Sequence, residues 1–402
     1  MSRAAIAALA AVGLAAMIGG ARAHSAKDAS SVAIGYVSID NDPRYAADNA
    51  YAGIVYRTLG RPLAGAKLGV QDAQTLGRVI GKQFELKEAS AASAADLPKL
   101  EKAVSDWAAA GDIHFVIADL PADVLLKLAD AEKNRPVLLM NVSAPQDRLR
   151  EADCRANIVH VIPSDSMLTD ALVEYLVAKK WPRIFVLQGG ADRDGEIVAA
   201  LRRSAAKFGA TVVGEKPFTL GEDPRHRDEN NIALMSADID ADVIFVADSS
   251  REFARYVPYQ TSKPIPVVGD AGLTPLAWHW SWYRDGAPQL QHRFEKLAPL
   301  RRMNAEAWAG WTAVKAVTEA TLRAGSPDFA AVRDFMLGDR ISIDGVKGNP
   351  MSFRAWDHQL RQPILLATAD AVIATAPLEQ FLHRTNVLDT LGIDEPESKC
   401  RF

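Results

Sequence analysis

Cysteine is scarce in this 402-residue chain, and what is missing narrows the chemistry it can perform. The only two are Cys154 and Cys400, so there is no C-x-x-C pair for a zinc or dithiol site. Eight histidines form no H-E-x-x-H. No phosphate loop is present. Gly60 to Lys67 misses the P-loop pattern by one residue, and Gly190 to Glu196 carries glutamate where lysine is required. Asp40 and Asp42 are followed by Pro43 and Arg44 rather than by the further oxygen ligands and glycine of a calcium loop. G-x-S-x-G is absent, and Ser143, Ser249 and Ser250 have no histidine beside them in sequence. The expectation is a protein with no metal and no cofactor, and not an enzyme. Basic tracts are missing too, and a net charge of −4 argues against nucleic acid as a partner.

Long apolar runs are confined to the start. Arg3, the apolar stretch Ala4 to Ile18 and the Ala21-Arg22-Ala23 site follow the three-part plan of a secretory signal peptide, so residues 1–23 are expected to be cleaved. That implies a periplasmic location. Roughly 380 residues remain, long for one core, so two lobes are expected. In an oxidising compartment two cysteines suggest a Cys154–Cys400 disulfide, with two separate thiols as the alternative. Closing so long a loop is worth about 4–5 kcal/mol in the chain-entropy account.

Strand-like and helix-like segments alternate along the rest. Strands are expected at 32–38, 84–88, 113–118 and 137–142, with helices at 45–59, 63–80, 97–110 and 122–133. A second series has strands at 158–162, 184–188, 211–213, 243–247 and 266–268. Its helices fall at 167–180, with Asp165 as N-cap, at 195–208 and at 252–259. Residues 217–227 read as a loop. Helices at 305–323 and 329–336 follow, then a β-rich tail at 341–372. The pattern is that of two doubly wound, parallel-sheet α/β lobes. One further stretch stands out: Trp278, His279, Trp280, Ser281, Trp282 and Tyr283 put three tryptophans within five positions. It reads either as an aromatic wall at a cleft rim or as packing under a helix.

An exported chain of this plan resembles the type I periplasmic binding proteins of ABC transporters, the branched-chain amino acid receptor class. Within it, "NDPRY" (41–45), "GRPLAGAKL" (60–68), "VADSSREFARYVPYQT" (246–261), "QLQHRF" (289–294), "FRAWDHQLRQPILL" (353–366) and "LDTLGIDEPESKC" (388–400) are similar to the subgroup associated with PQQ-dependent alcohol dehydrogenase systems. The resemblance implies two lobes joined by a three-crossing hinge. The expected first lobe is 24–162 plus 271–347, the second 163–270 plus 348–380, and the tail 381–402. It also implies a monomer that works with an inner-membrane ABC transporter permease. A PQQ-dependent dehydrogenase is a second implied partner, and a docking module for that enzyme or for the transporter, without a free solute, is the alternative function.

In open parallel sheets ligands bind beyond the carboxyl ends of the strands. On that rule and on the resemblance, the expected ligand-binding residues are Arg44, Tyr45, Asp119, Ser143, Asp194, Asp248, Ser249, Asp270, Trp278 and His279. Ser143 matches a hydroxyl that holds the ligand carboxylate in amino acid receptors. Asp119 would repel such a carboxylate, and Asp194, Asp248 and Ser249 stand where an aromatic ring is usual. These departures count against an α-amino acid; the subgroup resemblance implies instead a small alcohol or its aldehyde or acid product, and an aromatic wall would suit an apolar or aromatic molecule.

Overall fold

A computed structural model describes residues 30–46, 60–220, 229–326 and 328–402. The expected signal peptide and most of the expected helix 45–59 lie outside them. The first series forms a five-stranded parallel sheet. It comprises β1 (Ser30–Ile39), β2 (Lys82–Ala91), β3 (Phe115–Asp119), β4 (Leu138–Asn141) and β5 (Ile158–His160), in the order β2-β1-β3-β4-β5. Every residue of β3 and β4 is buried, as expected of strands covered on both faces. On one face lie α2 (Leu97–Ala110) and α3 (Ala122–Glu132). On the other, α1 (Leu63–Ile80) packs against the late helix Ala305–Arg323. That contact is close enough to demand glycine: a Cβ on Gly65 would fall 1.6 Å from the Ala307 carbonyl oxygen.

The second sheet contains β6 (Arg183–Gln188), β7 (Thr211–Pro217), β8 (Val243–Ala247) and β9 (Val267–Gly269), all parallel, in the order β7-β6-β8-β9. Helices α4 (Asp165–Ala178) and α5 (Asp192–Phe208) cover one face. The N-cap of α4 is Ser164, whose Oγ accepts from Met167 N–H at 3.2 Å. Asp165, the expected cap, sits one residue inside and its carboxylate is left for another partner. The expected helix 252–259 is broken into the short turns Ala254–Tyr256 and Val257–Gln260.

The lobe boundaries shift from those expected. After Asp270 the chain stays with the second sheet. Leu273 bridges Val268, and β10 (Thr274–Leu276) pairs with β13 (Ile364–Ala367), which pairs with β14 (Val372–Ala376). The chain returns only at Ala277 and Trp278, which join the first lobe's core. Likewise β11 (Ile343–Asp344) and β12 (Pro350–Met351) form a hairpin whose Ile343 and Met351 lie in that core, together with Phe353 and Leu360. The last crossing is therefore near Arg361–Pro363, beyond Gly348.

The three crossings are tied by buried side chains. Arg150 Nε donates to Gln359 Oε1 at 2.9 Å, and its Nη atoms donate to the carbonyls of Ala144 (2.8 Å), Gln146 (3.1 Å) and Ile162 (2.9 Å). Burial pulls its pKa down to about 10, which leaves it charged at neutral pH. Lys347 Nζ donates to the Ala277 carbonyl (2.9 Å), Gln362 Oε1 (3.0 Å) and the Pro363 carbonyl (2.7 Å), and lies 3.9 Å from the Trp308 ring centroid. Gln362 Nε2 in turn donates to Val161 O at 2.7 Å.

Cys154 and Cys400 are disulfide-bonded. The tail before Cys400 lies on the second lobe: Leu391 is in its core, and Lys207 Nζ donates to the carbonyls of Thr390 (2.7 Å) and Gly392 (2.8 Å).

Candidate functional site

The carboxyl ends of both sheets face a cleft holding a cavity of about 160 Å³. By a measure in which one water needs about 10–15 Å³, it has room for about ten waters. Of the ten expected residues, Ser143 and Asp270 line it.

The first-lobe group comes together as expected, but largely upon itself. Tyr45 Oη donates to Asp119 Oδ1 at 2.6 Å and Tyr36 Oη to Oδ2 at 3.1 Å. Burial, then the Asp119 charge, raises both phenol pKa values and keeps these hydroxyls as donors. Arg44 Nη1 donates to the Ser143 carbonyl (2.9 Å) and Oγ (3.1 Å), while its Nη2 pairs with Asp42 at 2.6 Å. Arg61 lies 4.5 Å from the Tyr45 ring centroid and 3.9 Å from Asp119. Asp119 is fully buried, and both of its oxygens accept from tyrosine hydroxyls.

The second-lobe residues divide by role. Asp194 Oδ2 accepts from Ala191 N–H at 3.2 Å and Oδ1 from Ser249 N–H at 2.7 Å, which closes the turn after β6 against the turn after β8. Asp248 Oδ1 accepts from Ser250 N–H (3.2 Å) and Oγ (2.6 Å), and Oδ2 from the N–H groups of Phe253 (2.9 Å) and Ala254 (2.8 Å). These carboxylates shape the loops that hold the cleft. Asp270 does face the cavity. One oxygen accepts from Asp248 N–H at 2.9 Å, and burial raises its pKa to about 6.

The aromatic run belongs mainly to the core. Trp278 is 1% exposed and its ring lies parallel to that of Trp308, with centroids 6.4 Å apart. His279 is buried, its Nδ1 lies 2.7 Å from Ser281 Oγ, and burial lowers its pKa. Neither lines the cavity: the late return of the chain sets Trp278 against Trp308 of the helix Ala305–Arg323, and His279 beside Trp280 and Ser281. Trp282 Nε1 donates to Val346 O at 3.2 Å, and Tyr283 is exposed.

Sequence reasoning missed four charged residues of the cavity wall: Asp165, Arg193, Arg251 and Glu306. Arg193 forms a bidentate pair with Asp165 and donates to Glu196 at 2.9 Å. Burial works against the Arg193 charge, but Asp165 and Glu196 outweigh it and hold its pKa above the usual arginine value. Glu306 accepts from Asn304 Nδ2 at 2.6 Å, and burial raises its pKa. Arg251 stands in a left-handed conformation, φ +59°, in the loop pinned by Asp248. Leu168, Ile197, Pro275 and Leu276 add an apolar surface. The signal for Arg251 was present in the strand tip "VADSSR", three residues beyond Asp248. Glu306 opens a helix far along the chain and carries no local mark. Among the described residues no cluster of metal-ligating side chains occurs.

A family model described as "Periplasmic binding protein" matches residues 55–258, just over half of the chain. Solved structures share the fold at low identity. A branched-chain amino acid ABC transporter ligand-binding protein from Burkholderia xenovorans is 15% identical with a TM-score of 0.70, covering 92% of this chain and 99% of its own. A branched-chain amino acid transporter substrate-binding protein from Streptococcus pneumoniae, in complex with isoleucine, is 15% identical with a TM-score of 0.63, covering 86% and 99%. A solute-binding protein from R. palustris in complex with benzoate is 12% identical with a TM-score of 0.61, covering 93% and 100%. No curated protein matches the sequence. Two parallel-sheet lobes facing a shared cleft, together with the family match, make the chain a member of the periplasmic binding protein family.

Proposed function

We propose that the protein is the periplasmic solute receptor of an ABC transporter, and that it traps a small organic molecule in the cleft between its lobes. The observation that carries this is the cavity itself, walled by both lobes and combining apolar surface with a few charged groups. Its ligand is taken to be an alcohol-derived or aromatic, apolar-bodied molecule, in keeping with the subgroup resemblance and with the benzoate complex of one structural neighbour. Affinity would come from apolar burial, at about 25 cal/mol per Å², and closure would follow differential binding to the closed form. We place the lobe boundaries near Ile162, Leu276 and Arg361–Pro363. The partners proposed are an inner-membrane permease and a PQQ-dependent dehydrogenase, with the receptor acting as a monomer. Ser143 and Asp270 are taken as ligand contacts. Arg44, Tyr45 and Asp119 form the wall behind them, while Asp194, Asp248 and Ser249 support the loops. The test is thermal shift and calorimetry with alcohols, aldehydes and carboxylic acids, beside native mass spectrometry of the purified protein. A co-purifying small molecule or a saturable shift is expected. Neither, across all three classes, would defeat the receptor reading.

A further inference from the structure

The charges around the cavity are unequally committed. Arg193 is neutralised by Asp165 and Glu196, and Arg44 by Asp42. Arg251 is different: among the described residues no carboxylate lies within ion-pair distance of its guanidinium, although it lines the cavity. Its backbone is also unusual. A non-glycine residue at φ +59° costs free energy, and such strain persists where the surroundings over-determine it. Here the cause is visible. Asp248 engages both sides of the loop, at Ser250 and at Phe253 and Ala254, and Arg251 N–H donates to Asp248 O at 2.9 Å. The loop is held in the shape that presents Arg251 to the cleft.

We propose that Arg251 is the ligand-anchoring cation of this cleft, and that the solute is a small organic acid whose carboxylate seats on its guanidinium. This rests on the receptor reading above and names its ligand class. A planar guanidinium matches a carboxylate bidentately, and such a charge-assisted pair is both strong and directional. The neighbouring carboxyls fit the same ligand. Asp270 and Glu306 flank Arg251 on opposite lobes; burial raises the pKa of each, that of Asp270 to about 6, while the Arg251 charge works against the rise, so that a protonated carboxyl here would donate to a carboxylate. An acid carrying a hydroxyl or amino group beside its carboxylate would reach them as a donor instead. The apolar surface of Leu168, Ile197, Pro275 and Leu276 receives the body of the molecule. Because Arg251 lies on the second lobe and Ser143 and Glu306 on the first, an acid bridging them draws the lobes together.

The test is calorimetry of the full mature chain with benzoate, hexanoate, mandelate and phenylalanine, each beside its neutral counterpart (benzyl alcohol, hexanol, styrene glycol and phenylalaninol's N-acetyl derivative). At least one acid should bind, and better than its counterpart. Arg251→Gln should weaken that acid about 10- to 100-fold, with Arg251→Lys intermediate and the melting temperature of the free protein unchanged. Mandelate or phenylalanine exceeding benzoate would assign the donor contact to Asp270 and Glu306. Neutral probes binding as well as acids, or Arg251→Gln leaving acid affinity intact, would overturn the inference while the receptor reading stands. No binding by any probe, with no co-purifying molecule, would remove both.

Discussion

The lobes meet on two sides, and the two sides follow opposite rules. At the crossings, Arg150 and Lys347 are buried basic side chains without an ion-pair partner among the described residues, yet each finds carbonyl or amide oxygens to donate to, and burial lowers the pKa of both. At the cleft, no carboxylate among the described residues lies within ion-pair distance of Arg251, and burial raises the pKa values of Asp270 and Glu306 against the opposing Arg251 charge. The crossings are satisfied by the chain itself; the cleft leaves capacity over. Polar groups that hold a fold together are therefore distinguished from those that await a ligand by what remains unpaired, not by how deeply they are buried.

Breaking the satisfied side should have the largest effect. Arg150→Met removes the donors to four acceptors, and loss of one partner from a buried polar network costs about 3–5 kcal/mol; urea titration should show this loss or a failure to fold. Lys347→Met should behave alike, softened by retained contact with Trp308. Next comes the disulfide: Cys154→Ser with Cys400→Ser should lower stability by about 2–4 kcal/mol and leave the cleft's ligand specificity unchanged. Glu174 gives a pH-dependent contrast. It is buried, Oε1 accepts from Leu378 N–H at 2.8 Å, Oε2 has no partner among the described residues, and burial raises its pKa to about 8. The folded state thus holds this proton more tightly than the unfolded chain, so its unfavourable contribution grows as pH rises from about 4.5 to about 8. Glu174→Gln should match the wild type in melting temperature at pH 5 and exceed it at pH 8. Smallest of all for stability is Arg251→Gln, within about 0.5 kcal/mol, although its effect on binding is the largest in the cleft. If Arg251→Gln destabilised the protein as Arg150→Met does, the contrast between the two sides would collapse.

Local signals made much of the architecture legible. The bounds of α1 and α2 are those read from apolar periodicity, with Gly81 and Gly111 closing each helix in the left-handed conformation. The strand tips led to Ser143 and Asp270 because burial of parallel strands is written in unbroken apolar runs. Three other features escaped periodicity. The helix expected at 252–259 is broken where Asp248 captures the N–H groups of Phe253 and Ala254, a competition periodicity does not register. Residues 274–276 look like the start of the first lobe, and only their pairing with β13, ninety residues on, assigns them to the second. The same limit hid Glu306, whose meeting with Arg251 depends on how two separately folded lobes are set against each other. Trp278 and His279 misled for the converse reason: a dense aromatic run has the same composition whether it lines a cleft or fills a core.

The cystine has a consequence for motion. The main chain passes between lobes three times, whereas the tail packs on the second lobe, is held also by Arg354 and Trp356, and is fastened through Cys400 to Cys154 on the first. This amounts to a fourth tether at the back of the molecule, and it caps how wide the jaws can gape. Small-angle scattering of the ligand-free protein should accordingly report a larger radius of gyration once that tether is reduced.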